Sequence, residues 1–205
     1  MSPKLLLATR NPGKVREYSS LFQGVPFQLT TLAEEGINME VGETEHTLEE
    51  NARLKAIAYA TGNQFLVIAD DSGLEVDALG GGPGSLSARY GGKGASDKEK
   101  ITLLLSRLQG VPWEKRSARF RCVIAIALSS RLVGLCEGEC SGVIAFEPKG
   151  DQGFGYDPVF YLPELDKTMA ELSLEEKNRV SHRGKAAQKA LQFLEYLWVE
   201  TRKPA

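Results

Sequence analysis

Cysteine and histidine are scarce in this 205-residue chain, which has three of the former (Cys122, Cys136, Cys140) and two of the latter (His46, His182). An odd, low thiol count supplies no disulfide framework and suits a reducing compartment. Cys136 and Cys140 invite a metal reading, but both histidines are distant in sequence, and buried or edge-strand thiols are the simpler account. Long apolar runs are missing too. The N-terminal MSPKLLLATRNPGK holds too short an apolar segment for a signal peptide or a membrane span, and runs elsewhere are strand-length. Neither sign of charge dominates: 25 Lys and Arg against 27 Asp and Glu leave a net charge of −2. That balance excludes the electrostatic footprint of a non-specific nucleic-acid or anionic-membrane binder. Repeats, low-complexity tracts and long linkers are absent. The expectation is a soluble, cytoplasmic protein, a single domain over residues 1–205 in two lobes, long enough to bury one sizeable core.

Glycine is in excess, with 21 residues, above the ordinary share of about 7%. The glycines punctuate a pattern of alternating elements. Leu5 to Ala8 reads as a buried strand, and Val15 to Phe22 as a helix with Asn11 at its N-cap and Pro12 in its first position. Thr47 and Glu50 form a capping box for a second helix that Gly62 stops. Phe65 to Ala69 predicts a strand that ends at Asp70-Asp71, where Ser72-Gly73 turns the chain. Ser96 and Glu99 cap a helix running to about Leu108. Ala118–Leu128 and Leu132–Phe146 predict two paired strands, the second broken by Gly138 and Gly142. Ser173 and Glu176 cap a further helical turn. Ala187, Leu191, Leu194 and Trp198 set the apolar stripe of a long helix from Gly184 onward. Strands alternating with helices, then a hairpin, argue an α/β fold with a mixed sheet and a cleft lined by loops at strand ends.

Four segments carry chemistry. Thr9-Arg10-Asn11-Pro12-Gly13-Lys14 lies between a strand and a helix, where unpartnered N–H groups and the helix dipole favour phosphate. The same hexapeptide also reads as a plain capped turn, and it lacks the Walker A pattern. Asp70 and Asp71 point to opposite faces of a strand, so one of them faces a given cleft. A carboxylate there suits a hard divalent ion such as Mg²⁺ held together with substrate phosphates. In the acidic stretch Glu40 to Glu50, Glu43 occupies a loop from which it can share that ion. Gly153-Phe154-Gly155-Tyr156-Asp157-Pro158 joins aromatic faces for stacking to a carboxylate that accepts from a purine edge. Ser181-His182-Arg183, with Lys177 one turn earlier, offers donors for phosphate or base.

The segments LLLATRNPGKVRE, ETEHTLEENARLKA, IADDSGLEVDALGGGPGSLSARY, ARFRCV, GFGYDPVF and KTMAELSLEEKNRVSHRGKA stand in one order over residues 4–187. Together they resemble the inosine triphosphate pyrophosphatases, the RdgB-like enzymes that remove non-canonical purine nucleoside triphosphates. The resemblance implies an elongated two-lobed α/β fold with a central mixed β-sheet flanked by helices, and a homodimer. It implies hydrolysis of dITP, ITP or XTP to the nucleoside monophosphate and pyrophosphate, with Asp71 as general base and Mg²⁺ held by Glu43 and Asp71. Thr9, Arg10, Asn11, Pro12, Gly13 and Lys14 match the phosphate loop. Ser72, Phe154, Gly155, Tyr156, Asp157, Lys177, His182 and Arg183 match substrate contacts. Arg183, His182 or a backbone N–H near Tyr156 are the candidates for reading position 6 of the purine. One departure stands out: Glu45 occupies a family glycine position, which leaves Asp70 as an alternative second metal ligand. The rival readings are a Maf-like nucleotide pyrophosphatase, whose Ser-Pro-Arg-type loop this chain lacks, and a nucleotide-binding regulator without catalysis.

Overall fold

The computed structural model describes residues 3–42 and 46–200. Glu43, the expected metal ligand, and Glu45, the departure beside it, lie outside the described residues. In chain order the elements are β1 (Lys4–Leu7), α1 (Pro12–Leu21), β2 (Gln28–Thr31), α2 (Leu48–Ala60), β3 (Leu66–Val76), β4 (Pro83–Gly84) and α3 (Asp97–Arg107). There follow β5 (Ser117–Leu128), β6 (Arg131–Ile144), β7 (Phe160–Leu162), β8 (Lys167–Thr168), α4 (Leu174–Val180) and α5 (His182–Glu200). The sheet runs β2-β1-β3-β5-β6-β7-β8, with β4 beside β3. It is mixed: β1 is parallel to β2 and β3, whereas β3–β4, β6–β7 and β7–β8 pair antiparallel. The expected α/β class with a helix-flanked mixed sheet is what the chain adopts. No described helix is long and apolar enough to cross a membrane.

Packing divides the chain into two compact units. The first comprises Met1–Asp71, Cys122–Gly138 and Arg183–Ala205. Its strands are apolar on both faces because both are covered. Leu5, Leu7, Ile68, Cys122 and Ile124 face Tyr18 and Phe22 of the α1 segment and Ala186, Ala187, Ala190 and Leu194 of α5. Leu6, Ala8, Val67, Ala69, Val123 and Ala125 face Leu48, Ala52, Ala56 and Tyr59 of α2. The period of two along β3 therefore sends Asp70 toward the α1 and α5 side and Asp71 toward α2.

The second unit comprises Ser72–Arg121 and Glu139–His182. Its core joins Leu74, Val76, Ala118, Phe120, Cys140, Ile144 and Phe160 to Ile101, Leu104 and Leu108 of the α3 segment. The opposite strand face carries Glu75, Arg119, Arg121 and Glu139, linked by ion pairs such as Arg119 Nε–Glu75 Oε2 at 2.7 Å. Buried Arg116 donates to the carbonyls of Ile144, Leu108 and Ala145, tying the end of the α3 segment to the end of β6.

Three expectations are corrected. The strand entering Asp70-Asp71 does not turn at Ser72-Gly73. It continues to Val76, because buried Leu74 and Val76 keep the alternation and the ladder to β4 pairs Leu74 with Gly84. Likewise β6 is not broken by glycine. At Gly142 an added Cβ would stand 2.7 Å from the Phe160 ring, and at Gly134 2.8 Å from Phe193, so Gly142 and Gly134 admit neighbouring rings instead of ending the strand. The long helix also starts earlier than Gly184, at His182, directly after Ser181 closes α4.

Candidate active site

Asn11 caps α1 as its sequence predicts: its Oδ1 accepts the Lys14 N–H at 3.1 Å, and Pro12 opens the helix. Thr9 Oγ1 accepts the Asn11 N–H at 3.2 Å. The Gly13 N–H has no partner among the described residues. Arg10 is spent locally, donating to the carbonyls of Ile37 at 2.7 Å and Met39 at 3.1 Å. The Lys14 side chain folds inward to Asp70, its Nζ 2.8 Å from Oδ2.

Asp70 is the hub of a buried ionic cluster. Its Oδ2 also lies 3.5 Å from Arg183 Nε, and Arg183 Nη1 donates to Glu17 Oε2 at 2.5 Å. Tyr18 and Cys122 complete the pocket, the Cys122 Sγ lying 3.8 Å from both Asp70 Oδ2 and the Tyr18 hydroxyl. Burial works against the Asp70 carboxylate, but Lys14, Arg183 and Lys55 more than offset it and hold its pKa at about 2. Burial and the Asp70 charge push the Cys122 thiol up to about 12, so it is no nucleophile. Asp71, on the other strand face, has its Oδ1 3.3 Å from Lys55 Nζ, and both side chains are nearly buried. The two adjacent aspartates thus make their direct ion pairs with different cations, as their opposite orientation requires.

The second unit holds the aromatic loop. Asp157 accepts the Phe154 N–H at 2.8 Å and Lys177 Nζ at 2.5 Å. Lys177 Nζ also lies 4.8 Å from the centre of the Phe154 ring. Gly155 takes φ +64°, and the Tyr156 hydroxyl donates to the Ser87 carbonyl at 2.8 Å. Gly153 has φ +77°, and a Cβ there would run into the Asp157 carboxylate, so only glycine lets that carboxylate fold back. His182 is buried and stacked on Phe120, ring centres 4.6 Å apart. Ser72 is half-buried in β3.

The structure therefore gathers Lys14 and Arg183 at Asp70, and Phe154, Asp157 and Lys177 in one loop cluster. Asp71 stands with a residue the motif reading passed over, Lys55. The signal for it was present: Lys55 falls on the spacing of Ala52, Ala56, Tyr59 and Ala60, so a lysine sits on the buried face of α2. Glu17, one turn after Lys14, is a buried acid to which the motifs assign no role. Among the described residues no group of three or more His, Cys, Asp and Glu side chains converges on a point that would hold a metal.

Residues 5–193 match the model of the Ham1 family. A Bacillus subtilis protein named dITP/XTP pyrophosphatase is 47% identical over 190 residues, covering 93% of this chain and 96% of the relative. One of the same name from Desulforamulus reducens is 50% identical, with 96% of this chain and 98% of the relative covered. A solved HAM1 protein structure from Coxiella burnetii superimposes with a TM-score of 0.85 at 38% identity, covering 95% of this chain and 99% of that one.

Proposed function

Because the chain belongs to the Ham1 family, we propose that it is a pyrophosphohydrolase of non-canonical purine nucleoside triphosphates, converting dITP, ITP or XTP to the monophosphate and pyrophosphate. The carrying observation is the near-complete two-way coverage by relatives named dITP/XTP pyrophosphatase.

On this reading the phosphates go to the first turn of α1, where the Gly13 amide and the Lys14 ammonium stabilise their charge. The base goes to Phe154, with Asp157 and Lys177 at its edge. Asp71 orients a water and takes its proton as the oxygen attacks the α-phosphorus; the bond to the β-phosphate oxygen breaks and pyrophosphate leaves. Lys55 keeps the Asp71 carboxylate in place and offsets the cost of burying it. The donor chemistry fits Mg²⁺, a hard ion served by one or two carboxylates and phosphate oxygens. Asp71, with Glu43, would hold it. Asp70 Oδ2 is occupied by cations, leaving only its buried Oδ1, which has no hydrogen-bond partner, for a further contact. When bound, the ion neutralises charge on the triphosphate.

Arg183 is turned to Glu17 and Asp70, so the reading of purine position 6 falls to His182 or to the aromatic loop. There the amides of Phe154, Gly155 and Asp157 are already spent, while that of Tyr156 has no partner among the described residues. Such a donor pairs with the 6-carbonyl of dITP or XTP and is stranded against the 6-amine of ATP, a cost of about 1–3 kcal/mol. The same reading includes a cytoplasmic homodimer; the three buried cysteines, none of them in a disulfide, suit a reducing compartment. The deciding experiment is a turnover panel over dITP, ITP, XTP, GTP, ATP and dTTP with Mg²⁺, with product assayed before and after added inorganic pyrophosphatase. Orthophosphate that appears only after that addition, from dITP, ITP and XTP, is the expected result. Intact substrates, or direct release of the terminal orthophosphate, would overturn it.

A further inference from the structure

We propose that Asp97 is a positioning residue for the purine subsite, its carboxylate holding the Gly155 amide and thereby the direction of the Phe154 ring. The inference rests on the reading that this loop meets the base. Asp97 Oδ2 accepts the Gly155 N–H at 2.6 Å across 58 residues of sequence. Its other oxygen, Oδ1, is 2.8 Å from Lys100 Nζ, which fixes the carboxylate's rotation.

An acid in the first turn of a helix ordinarily serves the helix itself. Here that task is already done. Ser96 Oγ accepts the Glu99 N–H, and Glu99 Oε2 accepts the Ser96 N–H at 2.7 Å, a complete capping box. Asp97 is left to reach outward. Its carrier is firm, because Ile101 and Leu104 anchor α3 in the core.

The loop needs such a hold at one place. Phe154 is tied through its amide to Asp157, and Tyr156 through its hydroxyl to the Ser87 carbonyl. Gly155 between them has no side chain, and its positive φ is one that other residues resist. Only its backbone can be held, and Asp97 holds it. Release of that amide frees the peptide plane to rotate, and the Phe154 ring on its N-terminal side moves with it. The lost contact is a hydrogen bond to a charged group.

The test uses the full-length protein with Asp97→Ala, Asp97→Asn and Phe154→Ala. Hydrogen exchange of the peptide spanning Gly155 should accelerate in Asp97→Ala and remain slow in Asp97→Asn, which keeps an acceptor oxygen. KM for ITP should rise roughly tenfold in Asp97→Ala with kcat within about twofold, while inhibition by inorganic tripolyphosphate, which has no base, stays unchanged. Unaltered exchange and KM in Asp97→Ala would overturn the inference, as would an equal loss of tripolyphosphate binding, which signals general loosening. Should Asp97→Ala fold poorly, Asp97→Glu displaces the carboxylate by one methylene and is read the same way. Phe154→Ala separates the two layers of argument. If it leaves KM for ITP unchanged while Asp97→Ala still speeds exchange, the base-subsite reading fails and the positioning stands. If it raises KM and Asp97→Ala does not, the positioning fails and the reading stands.

Discussion

The two compact units use charge differently. In the first, strands covered on both faces draw Glu17, Asp70 and Arg183 fully into the interior, with the partly buried Lys14 reaching in to them, and each ion depends on its neighbours. In the second, ion pairs among Glu75, Arg119 and Arg121 lie on an open strand face, and at the aromatic loop the buried Lys177–Asp157 pair is joined by carboxylates that accept backbone amides, Asp157 from Phe154 and the half-exposed Asp97 from Gly155. Interior ions create a fixed, strong field, the kind that binds and polarises phosphates. Amide-to-carboxylate anchors set direction and shape, the kind that seats a ring. One region is therefore built for charge and the other for geometry, and substitutions should separate them.

The largest effect belongs to the buried cluster. Arg183→Met leaves Glu17 and Asp70 without their shared cation and should lower unfolding stability by about 3–5 kcal/mol in urea titration. Arg119→Met on the open face should leave the midpoint unmoved, since an exposed pair is screened by water. Equal losses would erase the contrast. Next, Asp71→Asn should reduce kcat by at least about 10²-fold in a chain that still folds, with a lower melting temperature because the buried ion pair with Lys55 is lost; near-parental turnover would remove Asp71 from the chemistry. Smaller again, Lys14→Ala should raise KM about tenfold for every triphosphate alike, from the loss of one charge-assisted contact. Steady-state kinetics with ITP and ATP would reveal any base dependence, which has no place in a region built for charge. An unchanged KM with a large fall in melting temperature would return residues 9–14 to a plain capped turn.

Local signals carried much of this into the sequence. Asn11-Pro12, Thr47 with Glu50, Ser96 with Glu99 and Ser173 with Glu176 each mark a helix start that the structure adopts, because a cap is settled by residues within one turn. What stayed hidden depends on distant partners. Ser72-Gly73 looks like a turn until β4 pairs with Leu74 and extends the strand. Gly142 looks like a break until Phe160 arrives beside it. At the site, the phosphate loop, the aspartate pair and the aromatic loop were legible as motifs. Glu17 and Asp97 were not, since each acts through a group brought to it by folding; Lys55 shows in the sequence only as a lysine on the buried face of α2, without its partner. Arg183 was legible as a functional residue, but its commitment to Glu17, 166 residues away in sequence, was not.

The smallest prediction concerns acid. Asp70 is buried, which raises its pKa, but Lys14, Arg183 and Lys55 bring the folded-state value down to about 2, against 3.8 for an ordinary aspartate. A carboxylate depressed in the folded state binds its proton more readily when unfolded, so its contribution is complete above about pH 4 and fades as pH falls toward 2. Part of the acid sensitivity of the parent chain in that interval should therefore vanish in Asp70→Asn, although the variant is the less stable of the two at neutral pH, with Lys14 and Arg183 left facing a neutral amide. Metal-free urea titrations at steps from pH 5 to pH 2 measure both slopes. Parallel slopes would mean that Asp70 does not carry the cluster's charge balance, and the distinction between an interior built on ions and a loop built on amides would then rest on Glu17 and Arg183 alone.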